Sequence, residues 1–235
     1  RLDRDSLNIM TIEDPIEYQI PGIGQIQVNP KIGLTFASGL RHVLRQDPDV
    51  ILVGETRDAE TAETAARSSL TGHLVFSTLH TNDAASAMVR MTDIGVEPYL
   101  LAACLRGVLA QRLVRRLCPA CRVPATPTSR ELKALGEHAA LLGKQKVWAA
   151  KGCPECLGGY KGRVGIYELI VVDPAIQEYI RLGKSSIGEM RRLAREAGMT
   201  DLMGDAVAKT LDGSTSLDEI LHVLGHSAAA HEHRG

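Results

Sequence analysis

Three short apolar runs each give out onto a polar or acidic residue, and this pattern constrains the fold more than any other in the chain. Ile9-Met10-Thr11-Ile12 leads into Glu13-Asp14-Pro15, and Val50-Ile51-Leu52-Val53 leads into Gly54-Glu55. His73-Leu74-Val75-Phe76-Ser77-Thr78-Leu79 leads into His80. β-Branched runs of this length suit strands buried on both faces of a parallel sheet. Such sheets bind ligands beyond the carboxyl ends of their strands, which is where Glu13, Glu55 and His80 are expected. Between the runs the spacing turns helical. Thr35 can cap a helix carrying Phe36, Leu40, Val43 and Leu44, and Pro48 ends it because Asp47 is pushed out of the α region. Ala59–Leu70 reads as an alanine-rich helix stopped near Gly72. This βαβ cadence predicts a doubly wound parallel α/β sheet. Glu17–Asn29, punctuated by Pro21, Gly22 and Gly24, is expected as a loop or hairpin, and Pro98 is expected to open a long helix over Tyr99–Leu117.

The remaining composition narrows the function classes. A length of 235 residues allows one large domain and something small, and 3% aromatic residues make the core aliphatic. Single-strand nucleic-acid binders need a cationic groove with stacking aromatics. With two Phe, one Trp, five Tyr and a net charge of −1, a nucleic-acid partner is disfavoured. The chain begins Arg1-Leu2-Asp3 and holds no run approaching ~18 apolar residues, so a cytoplasmic piece of a longer protein, not inserted in a membrane, is expected. No G-x-x-x-x-G-K-[ST] phosphate loop occurs: before Gly183-Lys184-Ser185 the first glycine's place is taken by Glu178.

Cysteines fall in two C-P-x-C units, Cys118-Pro119-Ala120-Cys121 and Cys153-Pro154-Glu155-Cys156. Each unit offers two thiolates from one tight turn, so the pair predicts one tetrahedral Zn2+ site. The alternative is a pair of disulfides, but nothing indicates an oxidising compartment. Four thiolates leave no open position for water, which makes the metal structural. Cys104 is expected to be a buried core thiol. Capping boxes are expected at Thr128 with Glu131, Ser186 with Glu189, and Ser216 with Glu219. A strand is expected over Val164–Val172, and Asp173-Pro174 is a helix start. The tail Ser227–Gly235, with His231 and His233, is expected to be disordered rather than a metal site.

Taken together, these motifs carry a family resemblance. Ile12-Glu13-Asp14-Pro15-Ile16-Glu17-Tyr18, Leu44-Arg45-Gln46-Asp47-Pro48-Asp49 through Val53-Gly54-Glu55-Thr56-Arg57-Asp58, and Thr71-Gly72-His73 through His80-Thr81-Asn82 resemble the aspartate box, Walker B and histidine box of the secretion ATPases. Gln111-Arg112-Leu113-Val114-Arg115-Arg116-Leu117-Cys118 and the C-P-x-C pairs resemble the type II secretion and pilus-assembly branch, since retraction ATPases lack the tetracysteine insert. Gly22-Ile23-Gly24-Gln25-Ile26-Gln27-Val28-Asn29 is closer to the type II members. The resemblance implies a RecA-like P-loop NTPase core whose phosphate-loop part lies upstream of Arg1. It divides the chain into an ATPase core (1–117), a tetracysteine zinc-binding subdomain (118–156) and a mainly helical C-terminal subdomain (157–235). It implies a hexameric motor that uses ATP and Mg2+ to drive pseudopilus assembly and protein export, working on inner-membrane platform proteins to which it binds peripherally. The alternatives are a type IV pilus assembly ATPase and, further off, a nucleic-acid motor or zinc-ribbon binding module.

Phosphoryl transfer to water is mostly positioning and electrostatics, which assigns expected roles. Glu13 is the group expected to activate water; the alternative is a surface carboxylate in a Pro turn. Glu55 is the Walker B acid, expected to hold Mg2+ through a water. Gly54 stands where many P-loop enzymes place an Asp. His80 can sense the γ-phosphate, though a lone His is often only a satisfied polar residue. Asp14 and His73 are further candidates for the nucleotide site, His73 the weaker because it stands at the other end of its strand. Arg41 and Arg45, at i and i+4, and Arg57 are candidates to reach a neighbouring subunit's nucleotide, against the plainer reading of solvated or ion-paired arginines.

Overall fold

The three apolar runs become neighbouring strands of one parallel sheet. In the computed structural model, residues 2–143 and 145–229 are described. In chain order the elements are β1 (Ile9–Glu13), β2 (Gly24–Gln27), α1 (Phe36–Val43), β3 (Val50–Val53), α2 (Ala59–Leu70), β4 (Leu74–Ser77), α3 (Ala84–Ile94), α4 (Pro98–Cys104), β5 (Gly107–Leu117), β6 (Val123–Ala125), α5 (Ser129–Leu135), α6 (Ala139–Leu142), β7 (Val147–Ala149), β8 (Tyr160–Val171), α7 (Pro174–Arg181), α8 (Ile187–Glu196), α9 (Leu202–Leu211) and α10 (Leu217–Ala229). They form two compact units, one from segments Arg1–Thr81, Ala85–Val108 and Val171–Ala194, the other from Asn82–Ala84, Leu109–Ile170 and Arg195–Gly235.

In the first unit the sheet order is β2-β1-β3-β4, and all three pairings are parallel. Ile12 stands level with Ile26 on one side and Val53 on the other, and Val53 is level with Ser77. This register brings the strand ends out together, so Glu13, Gly54 and Thr78 leave from one edge. Ile12, Ile51 and Val53 are buried with Leu40 and Val43 of α1 and Ala65 of α2 in an aliphatic core. Of the two readings of Glu17–Asn29, the loop holds as far as Ile23, while the hairpin is corrected: β2 runs parallel to β1, and a parallel neighbour cannot be reached through a tight hairpin turn.

The helix starts follow their caps. The Thr35 hydroxyl accepts the Ser38 N–H at 3.2 Å, and the Ser38 hydroxyl accepts the Thr35 N–H at 2.8 Å. α1 ends at Val43, before Pro48, and Asp47 takes a φ of 50°. α2 has the expected bounds, with Asp58 accepting the Thr61 N–H at 2.8 Å. The expected long helix Tyr99–Leu117 is overturned: α4 stops at Cys104, and β5 takes the rest. From Val108 the pattern is period two, with exposed Leu109, Gln111 and Leu113 alternating with more protected Val108, Ala110, Arg112 and Val114. Helix-forming Leu, Ala, Gln and Arg conceal that alternation, and pairing with β8 decides it. The pairing is antiparallel, since Val172 N–H donates to the Arg106 carbonyl (3.0 Å) and Cys118 N–H to the Gly159 carbonyl (2.8 Å).

The second unit buries Val114 and Ile166 with Leu135, Leu142, Val147, Val207 and Ile220. Of the three expected capping boxes, the one at Thr128 and Glu131 closes both ways. At Ser216 the hydroxyl accepts the Glu219 N–H (3.2 Å), but the Glu219 carboxylate turns to Arg115 instead. The Ser186 hydroxyl likewise accepts the Glu189 N–H (3.3 Å), while the Glu189 carboxylate pairs with Arg192. Asp173 caps α7 with Pro174 at its start. α10 continues to Ala229, past the expected onset of a disordered tail at Ser227; His231 and His233 lie outside the described residues.

Candidate functional site

Glu13 is held by residues the sequence did not single out. Thr11 lies two residues back on the same face of β1, and its hydroxyl donates to Glu13 Oε1 at 2.5 Å. Gln25 stands level with Thr11 on β2, and its Nε2 donates to the same oxygen at 2.9 Å. The available signal was Thr11 itself, the single polar residue inside the first run and buried in the sheet. Asp14 follows directly, at a cis Asp14–Pro15 peptide.

Glu55 is buried, 8% exposed, just past β3. Its Oε2 meets His80 Nε2 at 3.0 Å, and its Oε1 pairs with Arg57 at 2.5 Å. The loops that carry this cluster are cross-tied. Gly54 N–H donates to the Ile12 carbonyl at 2.7 Å, Thr56 N–H to the Thr78 carbonyl at 3.0 Å, and the Thr78 hydroxyl to the Gly54 carbonyl. Gly54 has a steric reason to be glycine. A Cβ there would lie 3.0 Å from the Ile12 oxygen and 3.3 Å from Glu13 Cα. A side chain at this place requires the end of β1 to give by a few tenths of an ångström, and the close approach sets the Glu13 backbone against Gly54, one residue before Glu55.

Other candidates stand apart. Arg41 pairs with Glu60 at the start of α2, and Arg45 donates to the Arg41 carbonyl at 2.9 Å. His73 precedes β4, at the opposite end from His80, with Nδ1 2.9 Å from the Ser68 carbonyl and 3.1 Å from the Thr71 hydroxyl. Both partners belong to the end of α2. Cys104 is half-buried rather than fully enclosed, and that burial pushes its thiol above the usual range.

The four cysteines of the second unit come together. Cys118 and Cys153 Sγ are 4.0 Å apart, Cys121 and Cys156 3.7 Å, and Cys153 and Cys156 3.6 Å; all four lie within 4.8 Å of one another. None is bonded to another. A tetrahedron with Zn–S of about 2.3 Å has edges of about 3.8 Å, so the spacing fits a thiolate cage. Disulfides, at about 2.05 Å, do not fit it. Each pair is presented by a tight turn, closed by Cys121 N–H to the Cys118 carbonyl (3.3 Å) and Cys156 N–H to the Cys153 carbonyl (3.2 Å). The thiols are not equivalent. Desolvation opposes ionisation of Cys156, but hydrogen bonds from the Cys153 N–H and thiol bring it down to about 7. The Glu155 N–H favours the Cys153 thiolate, yet burial and the neighbouring thiols push it up to about 12. A second group, Glu137, His138 and Asp201, is already bridged by Arg195, at 2.9 Å from Glu137 and 2.7 Å from Asp201, which gives both carboxylates a cationic partner without a metal. Among the described residues no helix is long and apolar enough to cross a membrane.

An all-parallel sheet with helices between its strands, carrying two carboxylates and an imidazole at its carboxyl edge, defines an α/β protein of the class that binds ligands beyond such edges. The chain belongs to the family described as "Type II/IV secretion system protein", whose model matches residues 1–222. It is 51% identical over 222 residues to the type IV pilus assembly ATPase PilB of Thermus thermophilus, covering 94% of this chain and 25% of that protein. It is 53% identical over 219 residues to the type II secretion system protein E of Aeromonas hydrophila, covering 92% and 42%. The chain thus spans less than half the length of these relatives. Among solved structures it resembles the pilus retraction motor PilT with bound ADP, at a TM-score of 0.63 and 31% identity over 91% of this chain and 51% of that one. The Legionella pneumophila ATPase DotB, at 24% identity and a TM-score of 0.62 over 95% of this chain and 55% of that one, shares the fold.

Proposed function

We propose that this chain is the downstream part of a secretion motor ATPase that couples ATP hydrolysis to assembly of a pseudopilus and protein export by type II secretion. The observation that carries the proposal is the cluster at the sheet edge. Glu55 is buried and held by His80 and Arg57, with the Glu13 backbone packed against Gly54 beside it. In this reading Glu13 orients and deprotonates the attacking water, its carboxylate kept in one pose by Thr11 and Gln25. Glu55 would be the residue that holds Mg2+, which would supply positive charge for the phosphates, and His80 would offer a hydrogen bond to the nucleotide. Bound ATP with Mg2+ supplies the phosphoryl group and the charge to be stabilised. Asp14 and Arg57 complete the near shell, Arg41, Arg45 or Arg57 reach a neighbouring subunit in a homo-hexamer, and His73 supports the far end of β4.

The edge of β4 supports the rest of the reading. Leu74 and Phe76 on that strand are each 46% exposed, an apolar edge suited to a further strand. We assign that place to the segment bearing the phosphate loop. The tetracysteine segment 118–156 holds one structural Zn2+ and serves as the part that docks on inner-membrane platform proteins, from the cytoplasmic side. Type IV pilus assembly is the second reading, favoured by the similarity to the Thermus thermophilus protein. The test is turnover in the complete polypeptide. Glu13→Gln is expected to cost ~10²–10⁴-fold if that group moves the proton. A rate within about threefold of wild type moves the role elsewhere.

A further inference from the structure

Gln25 does more than steady Glu13. Its side-chain amide makes three hydrogen bonds, two of them to the loop that joins β1 to β2. Oε1 accepts the Ile20 N–H at 2.8 Å, while Nε2 donates to the Tyr18 carbonyl at 3.0 Å and to Glu13 Oε1 at 2.9 Å. A backbone N–H can only donate and a backbone carbonyl can only accept. The two loop partners therefore fix which way round the amide stands, and with it the N–H that faces Glu13. Turned about, the amide would set its oxygen against the carboxylate.

The two donors on Glu13 are thus held by different means. Thr11 is buried within β1, so the strand itself fixes its hydroxyl. Gln25 is level with Thr11 on β2, but its amide takes its orientation from a surface segment in which Tyr18 is 81% and Ile20 41% exposed. Both donate to Oε1, which leaves Oε2 as the oxygen turned toward a water. Pinning the loop to β2 does not require this arrangement. Gln27, two residues on, does so with one bond, its Oε1 accepting the Ile16 N–H at 3.3 Å. What sets Gln25 apart is the third bond, the one that reaches Glu13. All of these residues belong to the first compact unit.

We propose that Gln25 is a positioning residue for Glu13 whose own orientation is set by the loop carrying Tyr18 and Ile20, so that the aim of the carboxylate depends on the conformation of that loop. This rests on the reading of Glu13 as the group that activates water, and the two are tested separately.

The test uses the 235-residue chain with its glutamate carboxyl carbons isotopically labelled, the Glu13 signal being assigned by its loss in Glu13→Gln. Gln25→Met removes all three bonds at similar side-chain length. Ile20→Pro removes one loop N–H and leaves the Glu13 and Gln25 side chains intact. Arg4→Ala, which cuts the bond from Arg4 to the Pro21 carbonyl in the same loop, is the control for general loosening. The expected result at constant pH is a displaced Glu13 resonance in Gln25→Met and in Ile20→Pro, and an unmoved one in Arg4→Ala. An unmoved resonance in either of the first two, or the same movement in Arg4→Ala, overturns the proposal. In the complete polypeptide, Gln25→Met and Ile20→Pro should each lower kcat by about tenfold at unchanged KM, the loss expected from one hydrogen bond to a carboxylate. Combined with Glu13→Gln, Ile20→Pro should cost nothing further, because the group it acts through is gone; a second tenfold loss there overturns the coupling. Glu13→Gln alone addresses the underlying reading: a rate near wild type refutes the role of Glu13 in activating water and leaves the resonance result to decide whether the loop sets its carboxylate.

Discussion

Replacing Gly54 by alanine tests whether the close approach at the sheet edge is what the site is built on. The added Cβ meets the Ile12 carbonyl oxygen at 3.0 Å, Glu13 Cα at 3.3 Å and Phe36 Cε1 at 3.5 Å. Two of these are backbone atoms of β1, which is hydrogen-bonded on both sides by β2 and β3 and cannot swing away like a flexible side chain. Relief takes a few tenths of an ångström of movement at the end of β1. Forcing a methyl into such a packed place costs about 1–3 kcal/mol. The contrasting site is Gly225 in α10, where an added Cβ meets nothing within 4 Å. There the same substitution removes only backbone freedom from the unfolded chain and is expected to stabilise by about 0.5–1 kcal/mol. Urea unfolding of the two variants reads both signs. Because the backbone moved is that of Glu13, turnover in the complete polypeptide should fall as well, since misplacement by about 1 Å costs of order 10²-fold and this shift is a fraction of that. A Gly54→Ala protein as stable as wild type refutes the steric argument, and with it the reason given for glycine at this place.

Metal analysis of the purified chain should return about one zinc, and Cys153→Ser should release it and loosen residues 118–156 while the parallel sheet persists; a metal-free protein with oxidised cysteine pairs overturns the assignment. The Glu219 carboxyl, raised by desolvation but lowered further by the Arg115 side chain and N–H, lies below its ordinary 4.5. Its stabilisation is therefore present above about pH 4.5 and lost as pH falls through its depressed value, and Glu219→Gln should flatten the acid limb of a stability–pH curve; an unchanged limb counts against the pair. The 235-residue chain alone should hydrolyse ATP negligibly, because the backbone cradle and lysine of a phosphate loop are not among its residues; robust turnover by the chain alone contradicts this.

Much of the fold was legible because it is locally encoded. Apolar runs broken by Gly-Glu or Glu-Asp-Pro, hydroxyl and Asp caps at Thr35, Asp58 and Asp173, and cysteines three apart each carry their own physics within a few residues. From these the sequence alone determined the parallel sheet, the bounds of α2, the start of α7 and the edge at which Glu13, Glu55 and His80 emerge. What it could not decide were matters settled by partners distant in the chain. Gly107–Leu117 became a strand because β8 was there to pair with it, although its Leu, Ala and Arg residues suit a helix equally well. The carboxylates of Glu189 and Glu219 left their capping boxes for arginines, because an ion pair competes with a backbone N–H on nearly equal terms. Thr11 and Gln25 could be linked to Glu13 only once the register of β1 and β2 was known. In each case local preferences differ by about 1 kcal/mol or less, and contacts made across the fold are large enough to choose between them.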